Sequence, residues 1–243
     1  ARSQGVEFTW VGEGKRAFFA VTNGSPALRG LASGTQNPVP PWGALTQATD
    51  WSFTGRVEYL LEGRWSQFKQ FTSPVGSEPA SMFGFAMHAQ IEDRTGSGGR
   101  KTDQWGLSAD LSLNFDGASL FFSGTFQNQK FIFNNVPNTD WLCYVFQGSV
   151  YASDNTEFFM RYEGGGPMQD PLGNNTVHIL TSGMNWYLED QQFKVTSDFG
   201  WSFGEIQTVN ANQMVGWRGS VNRNAEWLFR TQLQLEFRED SMQ

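Results

Sequence analysis

The sequence predicts an all-β chain, an antiparallel transmembrane β-barrel with about 11–12 strands in its 243 residues. Three observations carry that reading. Segment after segment alternates apolar and polar residues with a period of two, and no stretch of useful length shows a 3.6-residue stripe. The alternating segments run about 10 to 13 residues, longer than the ~5–6 of ordinary globular strands and suited to a tilted span. Aromatic residues collect at strand ends, at Trp51, Trp105, Trp186, Trp201 and Trp227, where a barrel carries its interfacial girdles.

Composition points the same way. Hydrophobic residues make up 39% and charged residues 17%, both low for a globular domain, while 22 Phe and 10 Trp make the chain rich in aromatics. Few charges with many aromatics and amides suit a wall that meets lipid on one side and water on the other. A net charge of −7 with only 17 Lys and Arg excludes a nucleic-acid partner, because no basic stripe could neutralise a phosphate backbone. The one cysteine, Cys143, permits no internal disulfide and no multi-cysteine metal site. No run of 18 apolar residues offers a transmembrane helix, and the opening Ala1-Arg2-Ser3-Gln4-Gly5 has no signal-peptide core.

Taken in order, Gly5 to Gly12 places Val6, Phe8 and Trp10 on one face, and Arg16 to Thr22 returns with Phe19 and Val21. Asn23 to Asp50 holds four of the nine prolines without periodicity and reads as a long loop. Trp51 to Glu62 alternates cleanly, with Arg56 and Glu58 on its polar face. The piece 63–79 is irregular and carries Trp65, Phe68 and Phe71. Ser81 to Gln90 is followed by a charged, glycine-rich loop at 92–102. Asp103 to Phe115 gives the clearest pattern, with Trp105, Leu107, Leu111 and Leu113 opposite Gln104, Ser108, Asp110 and Ser112. Asp116-Gly117 is a strong hairpin signal into Ala118 to Gln129. Asp140 to Ala152 and Thr156 to Glu163 follow, the latter with Glu157 and Arg161 on its polar side, and Gly164-Gly165-Gly166-Pro167 starts a loop. Thr176 to Trp201 is a hairpin with Phe193, Val195, Phe199 and Trp201 on one side and Lys194 and Asp198 on the other. Glu226 to Phe237 closes the chain, with Trp227, Phe229 and Leu233 opposite Arg230 and Gln232.

The same alternation would suit a soluble sandwich or lipocalin-like barrel with the apolar face inward. Strand length, the girdles, and polar faces rich in Ser, Thr, Gln and Asn but poor in Lys favour the membrane. Connections alternate as well: short turns at 13–15, 116–117, 153–155 and 188–191, long loops at 23–50, 92–102, 130–139, 164–175 and 203–225. Outer-membrane barrels use short periplasmic turns and long outer loops in this way. The segment 63–79 breaks the rule, being long on the short-turn side.

Several motifs resemble the phosphate-selective porin O and P family of bacterial outer-membrane channels. Gly183-Met184-Asn185-Trp186-Tyr187-Leu188 with Lys194 is similar to that family's penultimate hairpin, and Phe229-Arg230-Thr231-Gln232-Leu233-Gln234-Leu235 with Phe237 to its closing strand. Gly5-Val6-Glu7, Val21-Thr22-Asn23-Gly24 and Phe53-Thr54-Gly55-Arg56-Val57-Glu58-Tyr59 add matches along most of the chain. The resemblance implies a bacterial outer-membrane porin of about 16 strands, often trimeric, that passes small solutes by diffusion without a cofactor. Its partners would be the lipid bilayer, lipopolysaccharide, further copies of the chain and other envelope proteins. Here Arg238 to Gln243 extend beyond Phe237, and the count of eleven strands is odd, whereas single-chain bacterial barrels are even. Residues 1–243 are therefore expected to form one barrel domain that is the C-terminal portion of a porin, lacking about five strands, unless 213–221 supplies a twelfth.

The candidate pore-lining residues are Arg56, Glu58, Asp110, Glu157, Arg161, Lys194, Asp198 and Arg230. Rings of such charges set ion selectivity; the alternative is wall charges paired across strands. With Glu7, Arg16, Glu163 and Glu236 the polar faces carry seven acids against five bases, so phosphate specificity does not transfer and a weakly selective or mildly cation-preferring pore is expected. The loop 23–50, with Arg29 and Trp42, either folds inward as a constriction or lies outside. No catalytic residue is expected: His178 and Ser182 share a face but stand roughly 13 Å apart. No metal ligand set is expected either, since the acids at 92, 93 and 103 lack the ordered spacing of a calcium loop. A non-conducting docking barrel and a soluble carbohydrate-binding sandwich are the competing readings.

Overall fold

The computed structural model describes residues 5–22, 49–92, 102–131, 138–168, 176–189, 193–204, 206, 217 and 225–235. Eleven strands form one sheet: β1 Gly5–Val11, β2 Lys15–Thr22, β3 Thr49–Glu62, β4 Ala80–Glu92, β5 Thr102–Phe115, β6 Ala118–Phe131, β7 Thr139–Ser153, β8 Thr156–Pro167, β9 Val177–Glu189, β10 Phe193–Ser202 and β11 Trp227–Leu235. Each pairs with its sequence neighbour, so the order runs from β1 to β11 without a crossover. Every pair is antiparallel. The sheet is open: among the described residues β1 pairs only with β2 and β11 only with β10. No helix is long and apolar enough to cross a membrane, which says nothing of strands.

All eleven expected strands are present, and one boundary differs by more than two residues. The Gly164-Gly165-Gly166-Pro167 stretch is the end of β8 rather than a loop, with Gly164 opposite Tyr144 and His178. Glycine is a poor strand former, but flanking strands on both sides supply its hydrogen bonds. At the Asp116-Gly117 turn Gly117 takes φ 69°, the left-handed value expected of an Asp-Gly hairpin. The inward-or-outward choice for 23–50, including Arg29 and Trp42, lies outside the described residues. So does the twelfth-strand alternative at 213–221, apart from Trp217.

Exposure runs opposite to that of a water-soluble sheet. Phe8 is 64% exposed, Phe229 65% and Trp227 72%, whereas Gln90, Gln104, Glu157 and Thr181 are buried. Outward Trp residues stand at both ends of the strands: Trp51, Trp105, Trp201 and Trp227 at the long-loop end, Trp10 and Trp186 at the short-turn end. A continuous apolar face of this kind is an aggregation liability in water and the expected surface in lipid. On the opposite, polar face a small apolar cluster, Ile179, Ile206, Trp217 and Leu228, packs at the long-loop end with Val177 against it.

Candidate functional site

The polar face is organised by the connection between β3 and β4, which the alternation of loop lengths had marked as irregular. Rather than turning back at once, 63–79 crosses the sheet. It begins with a single 3-10 turn, Trp65–Phe68, whose Gln67 side chain accepts from the Arg64 backbone N–H at 2.8 Å. Arg64 pairs with Glu78 at 2.9 Å and closes the base of the segment. The Asn114 side chain donates to the Gln67 carbonyl at 2.9 Å, and the Ser73 hydroxyl to the Phe115 carbonyl at 2.6 Å. Gly117 N–H reaches the Pro74 carbonyl at 3.3 Å. The segment is thereby tied to the β5–β6 hairpin.

Its far anchor is Thr72. The Thr72 hydroxyl donates to Glu157 Oε1 at 2.9 Å, so its contact with the Tyr151 hydroxyl at 2.8 Å is one in which Tyr151 donates. The Tyr187 hydroxyl and the Asn185 amide give Glu157 Oε2 two further bonds, 2.6 and 2.8 Å. Tyr151 and Tyr187 stack with centroids 5.7 Å apart. Glu157 is 1% exposed. Burying a carboxylate is costly unless it is fully hydrogen-bonded, and three donors meet that need here. Of the candidate pore-lining residues, Glu157 lies buried beneath 63–79 as the anchor of that segment.

The second centre joins β2, β3 and β5. Arg56 forms a two-pronged pair with Asp110, Nη1–Oδ2 2.7 Å and Nη2–Oδ1 2.9 Å, and its Nε donates to Glu58 at 2.8 Å. Arg16 stands 3.9 Å from Glu58 and lies over the Trp65 ring at 3.6 Å. Arg56 and Asp110 are on strands separated by β4, and what lets them meet is Gly84, which sits between Glu58 and Asp110, two register positions along from the partner of Arg56. A Cβ there would stand 2.6 Å from Asp110 Oδ1 and would also strike the Arg56 guanidinium. Two guanidiniums and two carboxylates cancel, so the cluster is neutral. Beside it lies a cavity of about 260 Å³, closed over by Phe68, Gln70 and Phe71 of the crossing segment.

The remaining candidates pair locally. Asp198 and Arg230 are direct register partners, bonded at 2.9 Å through Nε. Arg161 is 3.5 Å from Glu163 on its own strand, and Lys194 lies over the Tyr187 ring at 5.8 Å. Among the described residues no group of three or more His, Cys, Asp or Glu could hold a metal ion.

The apolar face holds a polar cluster that period-two reading did not single out. Tyr144 and Tyr162 hydroxyls lie 3.2 and 3.0 Å from His178 Nδ1. Gly164 again supplies the gap, since a Cβ there would meet both His178 Nδ1 and the Tyr144 hydroxyl at 2.9 Å. Phe203 packs edge-on against Tyr162 and stacks on Trp201, placing the cluster within the girdle at the long-loop end.

No protein-family model matches the chain, and no curated protein matches it. The likeness to the porin O and P family therefore stays at the level of short motifs. A solved structure, the outer-membrane expressed OmpT of Vibrio cholerae, aligns over 94% of this chain and 78% of that one, with 12% identity and a TM-score of 0.41. What the chain shows is an all-β antiparallel sheet of eleven strands.

Proposed function

We propose that the chain forms the wall of a bacterial outer-membrane β-barrel, part of a barrel of about 16 strands, through which small hydrophilic solutes or ions diffuse passively. The observation that carries this reading is the reversal of exposure: aromatic residues such as Phe8, Phe229 and Trp227 face outward while charges pair on the opposite face. Lipid and lipopolysaccharide would cover the apolar face, the short turns would lie in the periplasm, and the chain would act as a homo-oligomer, a trimer in the family it resembles. No catalytic step is part of the reading. His88 Nδ1 is engaged by Thr54 at 2.8 Å and His178 Nδ1 by two tyrosines, which is structural use of both histidines.

The test is electrical. Reconstituted into planar bilayers, the protein is expected to give discrete conductance steps and, across a salt gradient, a reversal potential of mild cation preference. Strong anion preference would overturn the selectivity, since it requires a ladder of free bases on the polar face. Absence of any conductance would favour a second reading, a non-conducting docking barrel in an envelope assembly. That reading has an observation of its own: the crossing segment 63–79 and the Trp217 cluster both occupy the polar face.

A further inference from the structure

We infer that the cavity beneath the crossing segment is a binding site for a neutral, hydroxyl-bearing solute of one sugar ring, an inference that rests on the polar face being open to solutes. The first reason is Phe71. It lies against the Phe121 ring, edge to face at 5.0 Å, yet remains 65% exposed on the side of the sheet that carries the charges. A large flat apolar surface turned toward water costs free energy and is not needed to anchor the segment, which Thr72 and Ser73 already hold through three hydrogen bonds to β5, β7 and β8. Phe71 is the sort of surface that packs on the C–H face of a sugar ring.

The second reason is the opposing wall. Asp110 and Glu58 present carboxylate oxygens, and each oxygen bonded to Arg56 has a second lone pair to offer a hydroxyl. Gln70 and Gln147 add amides able to donate and accept. Apolar face on one side and clustered acceptors with amides on the other is the pattern a polyol satisfies. Charge then narrows the class. All three nitrogen positions of Arg56 are spent on carboxylates, so an incoming phosphate or carboxylate finds no free guanidinium edge. A cation finds no net negative charge, because Arg16 and Arg56 cancel Glu58 and Asp110. Size sets the last limit: about 260 Å³ falls below the ~300–1,000 Å³ of sites for drug-sized ligands, which suits one ring rather than a chain of them.

The experiment is equilibrium dialysis of labelled glucose, and separately of inorganic phosphate, against the purified full chain in detergent. Glucose is expected to bind saturably and phosphate not at all. Phe71→Ala should weaken glucose binding about tenfold, the scale of one lost ring-stacking surface, while Phe71→Trp should keep it. Heat-modifiable gel mobility reports whether each variant is folded, so a folded Phe71→Ala protein that binds glucose unchanged would overturn the site. So would absence of glucose binding to the parent, or a preference for phosphate. Glucose binding in a protein that gives no bilayer conductance would instead overturn passage through the barrel and leave the site standing.

Discussion

Replacing Gly84 by alanine tests whether the Arg56–Asp110 link is a structural tie between β3 and β5. Adjacent strands lie about 4.8 Å apart, so the two residues must meet across roughly 10 Å, over the backbone of β4. The new methyl would stand 2.6 and 2.7 Å from the two Asp110 oxygens. Both carboxylate and guanidinium are the far ends of movable side chains, so the clash relaxes by their parting. The loss is therefore the two-pronged pair rather than backbone strain. Side-chain exposures of 29% for Arg56 and 11% for Asp110 place it between a surface pair and a fully buried one. A cost of about 2 kcal/mol follows, within the range for hydrogen bonds to charged groups. Urea unfolding in detergent, followed by tryptophan fluorescence, reads it as a lowered midpoint with unchanged slope. The same substitution in an Arg56→Ala background should cost much less, because the pair is already gone. A Gly84→Ala protein with the parent's midpoint, or an equal loss in both backgrounds, would refute the reasoning.

Tyr187→Phe removes the 2.6 Å bond to Glu157 Oε2 and leaves Asn185 and Thr72 to hold the carboxylate. It should cost about 1.5–3 kcal/mol and make the chain at Lys69 more susceptible to trypsin, since the anchor of 63–79 is loosened. Gly164→Val crowds both the Tyr144 ring and His178 and should cost about 1 kcal/mol or more by urea unfolding, whereas Tyr144→Phe, which leaves the packing intact and Tyr162 3.0 Å from the ring nitrogen, should cost less. A Gly164→Val protein as stable as the parent would count against the cluster.

Much of the sheet was legible because a strand with one apolar and one polar face writes its period directly into the sequence. Asp103 to Phe115 could be read in no other way, and Asp116-Gly117 named its turn. The polar residues were placed on the correct face by the same rule, but their partners were not. Partnering depends on register between strands, and only register shows that Gly84 stands between Arg56 and Asp110. A glycine at a polar-face position flanked by charged strands is the signal that could have found it. The crossing of 63–79 was illegible for another reason: it is aperiodic, and its contacts with the sheet reach residues 40 to 115 positions away. Its length on the short-turn side and its three aromatic residues were the visible trace. Phe121 was missed because it sits beside Phe122, and alternation assigns only one of two adjacent rings to the apolar face.

The two glycine-centred links share a physical logic that bears on how such a wall stays rigid. In a single sheet that leaves its aromatic face exposed, packing across a core cannot brace the strands, so stiffness must come from within the sheet and from what lies on its polar face. Ladder hydrogen bonds tie nearest neighbours only. Arg56 to Asp110 over Gly84, and Tyr144 to His178 over Gly164, tie second neighbours, and they do so on opposite faces. The crossing segment extends the principle from three strands to six, since Asn114, Phe115, Tyr151, Glu157 and Asn185 on β5, β7, β8 and β9 are joined through it to β3 and β4. The Arg56–Asp110 link belongs to a neutral cluster of two acids and two bases, whereas Glu157 beneath the crossing segment is held by the neutral donors Thr72, Tyr187 and Asn185.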